Sequence, residues 1–347
     1  MSKSRSRAET LEDVAERYKS EQRQQEWAIE GWLPHLGLGV LFGRPGTMKT
    51  FTVVDLAVRM AVGLSWGGLR LREGVVAIVA AEDPEGVEAR LLARAHELGF
   101  PWESVPIVIL TDPPPINSEE FVTFARTEAR AFGNTPISLV AIDNLSATFD
   151  GRDQEGSGAM SSAMRNARHA ANALGCAVLL VHHPPRGNDD VPAGGAPIER
   201  APDLILHQTV DGSGEIRITA RKVRAGPIGG RMLMRAKVHR FEIGDHRQVI
   251  ETLVLYDHQY LPPALANARD ARDSAQRRDV IVEVVERYPN GVRTSVVLEE
   301  LKSRGFTVGL KTVQRELADL SEAGRLKSTG KGAARKHLVT GHRTADG

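Results

Sequence analysis

Short apolar runs alternate with longer helical stretches from Gly37 onward, and this alternation constrains the fold more than any other feature of the chain. The runs that indicate strands are Gly39–Phe42, Val75–Ala81, Pro106–Leu110, Leu139–Ile142 and Ala177–Val181. The stretches with helical character are Lys49–Val62, Pro84–Leu98, Ser118–Phe132 and Ser157–Leu174. Strands that are apolar at consecutive positions and separated by helices are typical of a parallel sheet covered on both faces. The sequence therefore predicts an α/β, doubly wound core.

The pattern changes after His183. The segment Pro184–Pro197 is rich in Gly, Pro and Asp, which predicts a mobile loop. Alternating segments follow, and the first two are joined by the hairpin signal Asp211-Gly-Ser-Gly214. These segments are Leu204–Val210, Glu215–Val223, Met232–Ile243 and Gln248–Tyr256. We therefore expect antiparallel strands to extend the parallel sheet.

A separate helical module is predicted near the C-terminus. Apolar positions at helical spacing indicate a helix at Asp279–Tyr288, a second that starts at Thr294 or Ser295, and a third at Leu310–Ala323. A basic hairpin follows, with strands Arg325–Ser328 and Lys336–Thr340 around the loop Thr329–Arg335. Three helices and a basic hairpin describe a winged helix-turn-helix. The predicted organisation is an N-terminal arm at 1–28, an α/β domain at 29–260, a linker at 261–274, the winged helix at 275–340 and a tail at 341–347.

Composition excludes several classes of protein. The chain has 347 residues, of which 41% are hydrophobic and 26% charged, as expected for a globular protein of two domains. No apolar run approaches the roughly 20 residues that span a bilayer, and no apolar stretch follows the basic N-terminus. The single cysteine, Cys176, excludes an internal disulfide framework. We expect a cytoplasmic protein with no membrane partner.

A glycine-containing loop follows the first predicted strand. Gly43-Arg-Pro-Gly-Thr-Met-Lys49-Thr50 matches the Walker A pattern G-x-x-x-x-G-K-[ST], except that methionine replaces the last glycine. Glycines let backbone N–H groups turn toward phosphate oxygens, and a helix N-terminus favours an anion. The loop therefore predicts a site for ATP and Mg²⁺, with Lys49 on the phosphates and the Thr50 hydroxyl on the metal. The ATP-binding residues predicted in this segment are Gly43, Arg44, Pro45, Gly46, Thr47, Met48, Lys49, Thr50 and Phe51.

Acidic residues follow two other predicted strands. Leu139-Val-Ala-Ile-Asp143 has the Walker B layout, so Asp143 would hold Mg²⁺ directly or through water. Alone, an aspartate in this position also caps turns. Ala81-Glu82-Asp83-Pro84 ends the preceding strand, and Glu82 there could act as general base. The alternative is an acidic pair that caps a helix, and Asp83 fits that role.

Two histidines, His182 and His183, close the last predicted parallel strand. Neighbours on a strand point to opposite faces, so the two make a poor chelating pair for a metal. We expect one of them to contact the γ-phosphate as a polar sensor and the other to be structural.

These motifs together resemble the RecA-type ATPases of the plasmid RepA-type hexameric helicase group. The resemblance covers about Trp27 to Tyr256 and rests on five features in order. They are Trp32-Leu-Pro, the loop Gly43–Thr50, Ala81-Glu82-Asp83-Pro84, Ile142-Asp143-Asn144 and Val181-His182-His183. Met48 and the C-terminal winged helix depart from the family pattern.

The resemblance implies roles for several residues. Glu82 would be the catalytic base, Asp143 the Walker B aspartate, and His182 or His183 the sensor. The family also carries a Lys-x-Arg segment that reaches the neighbouring subunit's nucleotide, and Lys222-Val-Arg224 matches it. A solvated basic strand end is the alternative for this segment.

The C-terminal module is basic. From residue 263 onward there are 16 Lys/Arg and 11 Asp/Glu. In a winged helix the third helix enters the major groove and the hairpin contacts phosphates. Some such modules bind only proteins, and the acids Glu316, Asp319 and Glu322 weaken the case for DNA. The residues expected to face DNA are Lys311, Gln314 and Arg315 on the helix, and Lys327, Lys331, Arg335 and Lys336 on or near the wing.

The motifs predict an Mg²⁺-dependent ATPase, and the resemblance implies that it forms a ring, as a hexamer, and acts on DNA. It would be a replicative helicase or helicase loader of a plasmid, phage or other mobile element. Single-stranded DNA would pass through the ring near Pro184–Pro197, and duplex DNA would contact the winged helix. The alternatives are a regulator that senses ATP with slow or no hydrolysis, which Met48 favours, and an assembly scaffold with a vestigial site.

Overall fold

The computed structural model describes residues 10–20, 25–131, 136–149, 156–306, 308–330 and 335–340. Elements alternate along the first two-thirds of the chain as the apolar pattern predicts. In chain order they are α1 (Leu11–Ser20), β1 (Trp27–Ile29), β2 (Leu33–Pro34), β3 (Leu38–Phe42), α2 (Lys49–Ala61), β4 (Val75–Ala80), α3 (Pro84–Glu97), β5 (Ile107–Leu110), α4 (Glu120–Ala131), β6 (Ile137–Asp143), α5 (Ser157–Leu174), β7 (Ala177–His182), α6 (Ala196–Arg200), β8 (Leu204–Val210), β9 (Ile216–Val223), β10 (Arg231–Ile243) and β11 (Gln248–Leu261).

A nine-stranded sheet organises the molecule, with the strand order β11-β10-β9-β8-β3-β7-β6-β4-β5. The strands from β8 to β5 in this order are parallel. β9, β10 and β11 extend the sheet in antiparallel fashion. This arrangement confirms the predicted doubly wound, mainly parallel sheet with an antiparallel extension. One detail differs, because the segment Leu204–Val210 pairs in parallel with β3 before it turns into the hairpin.

Each face of the sheet has its own hydrophobic core. On one face, α2 and α3 bury residues such as Val53, Leu56 and Leu91 against the strands. On the other, α5 buries Met160 and Ala163 together with Phe121 of α4. A sheet that is covered on both faces explains why its central strands are buried at every position and mostly apolar. The two helical layers thus hold the strand ends rigidly in place.

β10 and β11 are longer than the other strands of the sheet, and the hairpin that they form packs against α2 and α3. Phe241 and Val254 of the hairpin bury Ala93 of α3. Asp55 of α2 lies at the centre of this layer and is 1% exposed. Its carboxylate accepts hydrogen bonds from Trp66 and from His258 of β11, and it pairs with Arg94 of α3.

The C-terminal module contains α7 (Pro263–Glu286), β12 (Val292–Arg293), α8 (Thr294–Ser303), α9 (Leu310–Glu322), β13 (Leu326–Thr329) and β14 (Lys336–Val339). The three short strands form a separate sheet in the order β12-β14-β13. Residues including Ile281, Val297 and Leu317 form its core. The three helices and the hairpin thus lie where the sequence pattern predicts them. Their assignment as a winged helix remains a prediction.

The segment predicted as a linker, 261–274, is helical from Pro263 onward, a structure that the sequence analysis did not predict. Proline is favourable at the first position of a helix, and the alanines that follow are strong helix formers. Two ion pairs hold this half of α7 against the sheet, Arg231–Asp270 and Arg269–Glu215. α7 therefore runs without a break, over about 36 Å, from the sheet into the C-terminal module.

Parts of the predicted arm and tail lie outside the described residues, namely 1–9, 21–24 and 341–347. The end of the predicted arm is ordered, because Trp27–Ile29 pairs with Leu33–Pro34. Among the described residues, no helix combines the length and the apolar character needed to cross a bilayer.

Candidate functional site

Four parallel strands end at one edge of the sheet, and a residue of a predicted site motif stands at or just beyond each end. β3 leads into Gly43, β4 leads through Ala81 to Glu82, β6 ends at Asp143 and β7 ends at His182. The carboxyl ends of parallel strands meet at a common edge, where ligands of open α/β sheets bind. Residues from separate motifs in the sequence therefore converge in space.

The loop between β3 and α2 has a backbone that only small residues permit at two positions. A Cβ at Gly43 would lie 2.3 Å from the carbonyl oxygen of Gln208, so the close approach of β8 requires glycine. Gly46 has a φ of +78°, in the left-handed region. The side-chain amide of Gln208 also donates to the carbonyl of Thr47. The loop is thus braced from β8 and delivers the chain to the N-terminus of α2, where free N–H groups favour an anion.

Met48 takes the position of the last glycine of the motif and keeps a glycine-like backbone. Its φ and ψ are 67° and 31°, in the left-handed helical region. This conformation costs a side-chain-bearing residue about 1–2 kcal/mol. The Met48 side chain packs in part against the core beneath α2 and also borders the cavity described below. The substitution therefore preserves the loop shape but strains the backbone.

Lys49, the first residue of α2, is folded back onto its own loop. Its Nζ donates to the carbonyl oxygens of Gly43 at 2.8 Å and Arg44 at 3.0 Å. His183 Nδ1 lies 3.3 Å from the same Nζ. Burial lowers the pKa of Lys49 to about 8, and the nearby carboxylates of Asp143 and Glu82 oppose this shift. Its ammonium group therefore lies against the loop, in a position to bind a phosphate anion.

Thr50 and Asp143 are joined across the site. The Thr50 side chain hydrogen-bonds the carboxylate of Asp143, which is 7% exposed. Burial raises the pKa of Asp143, while the bond from Thr50 and the charge of Lys49 pull it down. Within the described part of the chain, no group of three or more His, Cys, Asp and Glu side chains could hold a metal. The two oxygen donors, from Thr50 and Asp143, nevertheless suit Mg²⁺, which takes few protein ligands and completes its shell with phosphate and water oxygens.

Glu82 borders the same cavity as Lys49 and is exposed. Its carboxylate accepts a hydrogen bond from Nδ2 of Asn144, the residue after Asp143. The Asn144 Oδ1 in turn accepts from the backbone N–H of Ala147 at 3.0 Å, and the peptide bond before Asn144 is cis. The sequence placed Asn144 in the Ile142-Asp143-Asn144 motif but gave it no role of its own. Asp83, by contrast, caps α3 by accepting from Gly86 N at 3.0 Å, as expected.

The two histidines, between which the sequence left the sensor role open, have separate environments. His183 borders the cavity beside Lys49. His182 is 4% exposed, and its Nδ1 lies 3.3 Å from Ser146 Oγ. Burial lowers the pKa of His182 to about 4, so the ring is neutral at physiological pH. Burial also lowers the pKa of His183, with the charge of Lys49 as a second cause.

A cavity of about 390 Å³ lies between these motifs, and it is bordered by Lys49, Thr50, Glu82, Asp143 and His183. Two further residues border it that sequence reasoning missed, Arg90 of α3 and Leu253 of β11. The Arg90 guanidinium lies 4.8 Å from the centre of the Phe51 ring and pairs with Asp83 at 3.1 Å. Arg90 and Leu253 belong to no phosphate-binding motif. Only the tertiary fold brings α3 and β11 to this cavity. Phe51 and Arg90 offer a cationic and aromatic wall next to the phosphate loop.

A family model described as an AAA domain matches residues 3–189, which is more than half of the chain. The matched segment contains the phosphate loop, Glu82, Asp143 and both histidines. The chain belongs to the AAA domain family. This AAA protein therefore carries its phosphate loop in the setting of a P-loop ATPase.

Comparisons with solved structures and with curated proteins add little to this assignment. One solved structure, an isolated ATPase domain, is 15% identical with a TM-score of 0.47, over 65% of this chain and 93% of that one. A DnaB-like replicative helicase, studied for its interactions with primase, is 16% identical with a TM-score of 0.49. That match covers 65% of this chain and 63% of the helicase chain. No curated protein matches this AAA protein.

The predicted Lys-x-Arg segment lies at the opposite edge of the sheet from the phosphate loop. β9 runs antiparallel to β8, so Val223 pairs with Leu204, where β8 begins. Lys222 and Arg224 therefore lie near the beginnings of the parallel strands, whereas Lys49 follows the end of one. In this AAA protein the two basic residues cannot reach the nucleotide site of their own chain.

The predicted mobile loop after β7 is held by several bonds. Asp189 pairs with Arg44 of the phosphate loop at 2.5 Å, and Asp190 pairs with Arg221 at 3.4 Å. The backbone N–H of Ala193 donates to the carbonyl oxygen of His183 at 3.0 Å. The loop is therefore tied to the site edge, in contrast to the sequence interpretation.

The C-terminal module neutralises two of the three acids on α9. Glu316 is 1% exposed and accepts from Arg277 Nε at 2.9 Å. Asp319 pairs with Arg278, also on α7. The predicted DNA-facing residues that the structure describes on α9, Lys311, Gln314 and Arg315, are exposed. Of the predicted wing residues, Lys331 lies outside the described part of the chain.

Proposed function

We propose that this AAA protein is an Mg²⁺-dependent ATPase that assembles into a ring and drives movement on DNA. The observation that carries the proposal is the convergence of Lys49, Thr50, Asp143 and Glu82 on one cavity at the carboxyl edge of the sheet. The four residues come from three separate motifs, and each supplies a group that phosphoryl transfer needs.

Binding would begin with the phosphates. Lys49 would exchange its bonds to the Gly43 and Arg44 carbonyl oxygens for bonds to phosphate oxygens, while the N–H groups of the loop turn toward the same anion. Thr50 and Asp143 would hold the metal, and Mg²⁺ would supply neutralisation of charge on the phosphates. Both residues present oxygen atoms, which matches the preference of this cation.

Hydrolysis would depend on Glu82. Its carboxylate would accept a proton from a water molecule as the water oxygen bonds to the γ-phosphorus and the bond to the leaving ADP oxygen breaks. Asn144 would orient Glu82 through the bond between their side chains. His183, beside Lys49, would be the polar sensor near the γ-phosphate.

Arg224 and Lys222 would act on the nucleotide of a neighbouring subunit. Their place at the far edge of the sheet supports this proposal, because a head-to-tail ring brings the far edge of one copy to the phosphate loop of the next. Arginine at such a point stabilises the charge of the transition state. The proposed ring is a hexamer, as the resemblance to RepA-type helicases implies.

The substrate of the motor would be DNA. Neutralisation of Glu316 and Asp319 by α7 leaves a basic face on α9, which supports contact with duplex DNA by a winged helix. Single-stranded DNA would pass through the ring. The loop after β7 would lie close to it, although its two aspartates engage basic side chains of the chain itself. The biological role would be that of a replicative helicase or helicase loader of a plasmid, phage or other mobile element.

The test combines calorimetry with single-turnover hydrolysis. We expect Mg²⁺-ATP to bind, and hydrolysis to rise when single-stranded DNA is added. Glu82→Gln should retain binding and lose about 10²–10⁴-fold in hydrolysis, whereas the matched variant Glu85→Gln, an exposed position on α3, should hydrolyse ATP like the unmodified protein. Binding of ATP without hydrolysis in any condition would exclude the motor function.

That last result would favour a second function, an ATP-sensing regulator that binds DNA through its C-terminal module. The left-handed backbone of Met48 is the observation that favours it, since a strained loop bordered by a large side chain could slow the chemical step. Absence of any heat with Mg²⁺-ATP would overturn both functions.

A further inference from the structure

A buried carboxylate lies directly behind the arginine that we place in the neighbouring subunit's site. The Asp203 side chain is 8% exposed, and its Oδ1 lies 3.0 Å from Nη1 of Arg224. The backbones of the same two residues are also joined, because Arg224 N donates to the Asp203 carbonyl oxygen at 2.8 Å. Arg224 itself is 55% exposed. One end of this side chain is thus anchored while much of it remains open to solvent.

The second oxygen of Asp203 binds two other groups. Asp203 Oδ2 accepts from the backbone N–H of Leu38 at 2.9 Å and from Nη1 of Arg168 at 2.6 Å. Leu38 is the first residue of β3, and the phosphate loop begins directly after the last residue of that strand. A single carboxylate therefore connects the strand that carries a subunit's own phosphate loop to the arginine that it would offer to its neighbour.

The end of α6 completes the anchor. Nη2 of Arg224 lies 3.4 Å from the carbonyl oxygens of Arg200 and Ala201. Lys222 Nζ donates to the carbonyl oxygens of Glu199 and Arg200, at 3.0 and 2.6 Å. Cations are favourable at a helix C-terminus. The two basic residues are thus held side by side on the same turn of backbone.

We propose that Asp203 is the positioning residue for Arg224, and that it fixes the guanidinium so that its remaining donors face the nucleotide of the next subunit. The proposal rests on the trans role of Arg224 in the proposed function. A guanidinium has five N–H donors, so bonds to Asp203 and to carbonyl oxygens leave donors for a phosphate. Because Arg168 and Arg224 share one carboxylate, the cluster keeps a net positive charge. Preorganised donors of this kind contribute most where charge develops.

The experiment uses Asp203→Asn in the full chain. The amide oxygen of asparagine can still accept from Leu38 N, whereas the charge that holds Arg224 is lost. We expect kcat for ATP hydrolysis to fall about tenfold or more, with KM for ATP within about twofold, since the subunit's own phosphate loop is unchanged. Asp279→Asn is the matched control, because it breaks another Arg–Asp pair, with Arg325 in the C-terminal module, and should leave hydrolysis unchanged.

Mixed assemblies separate a trans effect from a merely structural one. Lys49→Ala subunits should not bind nucleotide but retain Asp203 and Arg224. Added to Asp203→Asn subunits, they should raise hydrolysis above that of either variant alone, because they supply an intact arginine to the neighbouring site. Added to Asp279→Asn subunits, they should only dilute activity. Equal dilution in both mixtures would assign the defect to the subunit's own site and overturn the proposal.

Two further variants keep the outcomes distinct. Arg224→Ala with normal turnover would refute the trans role itself, and the inference with it. A defective Arg224→Ala beside a fully active Asp203→Asn would refute only the positioning role. If Asp203→Asn fails to fold, Asp203→Glu retains the charge and displaces the guanidinium by one methylene, so the same fall in kcat is expected. Faster turnover in either Asp203 variant would contradict the proposal, since it would mean that the pair restrains Arg224.

Discussion

The ammonium group of Lys49 donates to the carbonyl oxygen of Gly43, 2.8 Å away in the same phosphate loop. The ammonium group thus already has hydrogen-bond acceptors in its own loop. A bound phosphate has to replace these bonds to the backbone. The same burial lowers the pKa of Lys49 to about 8. This combination makes ATP affinity a function of pH.

We expect Mg²⁺-ATP to bind more weakly as the pH rises from 7 through 8 to 9.5. Lysine attracts phosphate only in its protonated form, and above a pKa of about 8 binding must first take up a proton. The limiting slope is about tenfold in Kd per pH unit. Calorimetry in buffers of different ionisation enthalpy should show proton uptake above pH 8, and Lys49→Arg should show none. A Kd that is independent of pH up to 9.5 would contradict a role for this ammonium group.

The pH dependence of stability has a definite sign at the same residue. The folded-state pKa of Lys49 lies below the ordinary lysine pKa of 10.5. Between these two values the unfolded chain binds more protons than the folded chain, so this residue makes the free energy of unfolding increase with pH in that window. Urea titrations at pH 7.5 and 9.5 should show the increase for the unmodified protein. The increase should be smaller in a Lys49→Met variant, because other groups of the chain still titrate but residue 49 does not.

Substitutions at Met48 should distinguish backbone strain from side-chain packing. Met48→Val places a β-branched residue at a φ of 67°, which is a far less tolerated combination than an unbranched side chain. We expect it to lower the free energy of unfolding by about 1–2 kcal/mol and to weaken Mg²⁺-ATP binding. Met48→Gly, the matched variant that restores the motif, should bind Mg²⁺-ATP at least as tightly as the unmodified protein. Equal behaviour of the two variants would mean that the loop does not need its left-handed residue.

Charge reversal on α9 should weaken DNA binding without touching the ATP site. Lys311→Glu and Arg315→Glu should each reduce affinity for duplex DNA and lower the slope of log K against log salt by about one. Fluorescence anisotropy at several salt concentrations measures both quantities. Lys302→Glu on α8, another exposed basic residue, is the control and should change neither by this amount. Unchanged binding by both α9 variants would assign the module to a protein partner.

Breaking the pair between Arg277 and Glu316 should uncouple the C-terminal module. Glu316 is buried, so Glu316→Ala leaves the arginine facing an apolar space and should cost about 3–5 kcal/mol. We expect the module to unfold in a separate, earlier thermal transition, while binding of Mg²⁺-ATP to the rest of the chain persists. Asp279→Ala, which removes the exposed partner of Arg325, should lower the free energy of unfolding by no more than about 1 kcal/mol. A single transition for Glu316→Ala, at the unmodified temperature, would exclude this coupling.

Sequence alone was sufficient for the elements whose cause is local. Apolar runs at consecutive positions indicated the buried parallel strands, and helical periodicity indicated α8 and α9, because side-chain direction follows directly from strand and helix geometry. Asp83 was identifiable as a cap from the proline after it. The phosphate loop, Glu82 and Asp143 could be singled out because their residue types and spacing serve one chemistry wherever they occur. The first half of α7 was not predicted, since the prolines and alanines after Leu261 suggested only a linker.

Tertiary structure alone decided what depends on distant segments meeting. It placed His183 rather than His182 against Lys49, brought Arg90 and Leu253 to the cavity, and set Asp203 behind Arg224. It also buried Glu316 against α7, which changed the charge that α9 presents. These relationships cannot be obtained from local patterns, because the energy of a contact depends on burial and on partners that are distant along the chain. Motifs specify which groups are available, whereas packing determines which of them face each other.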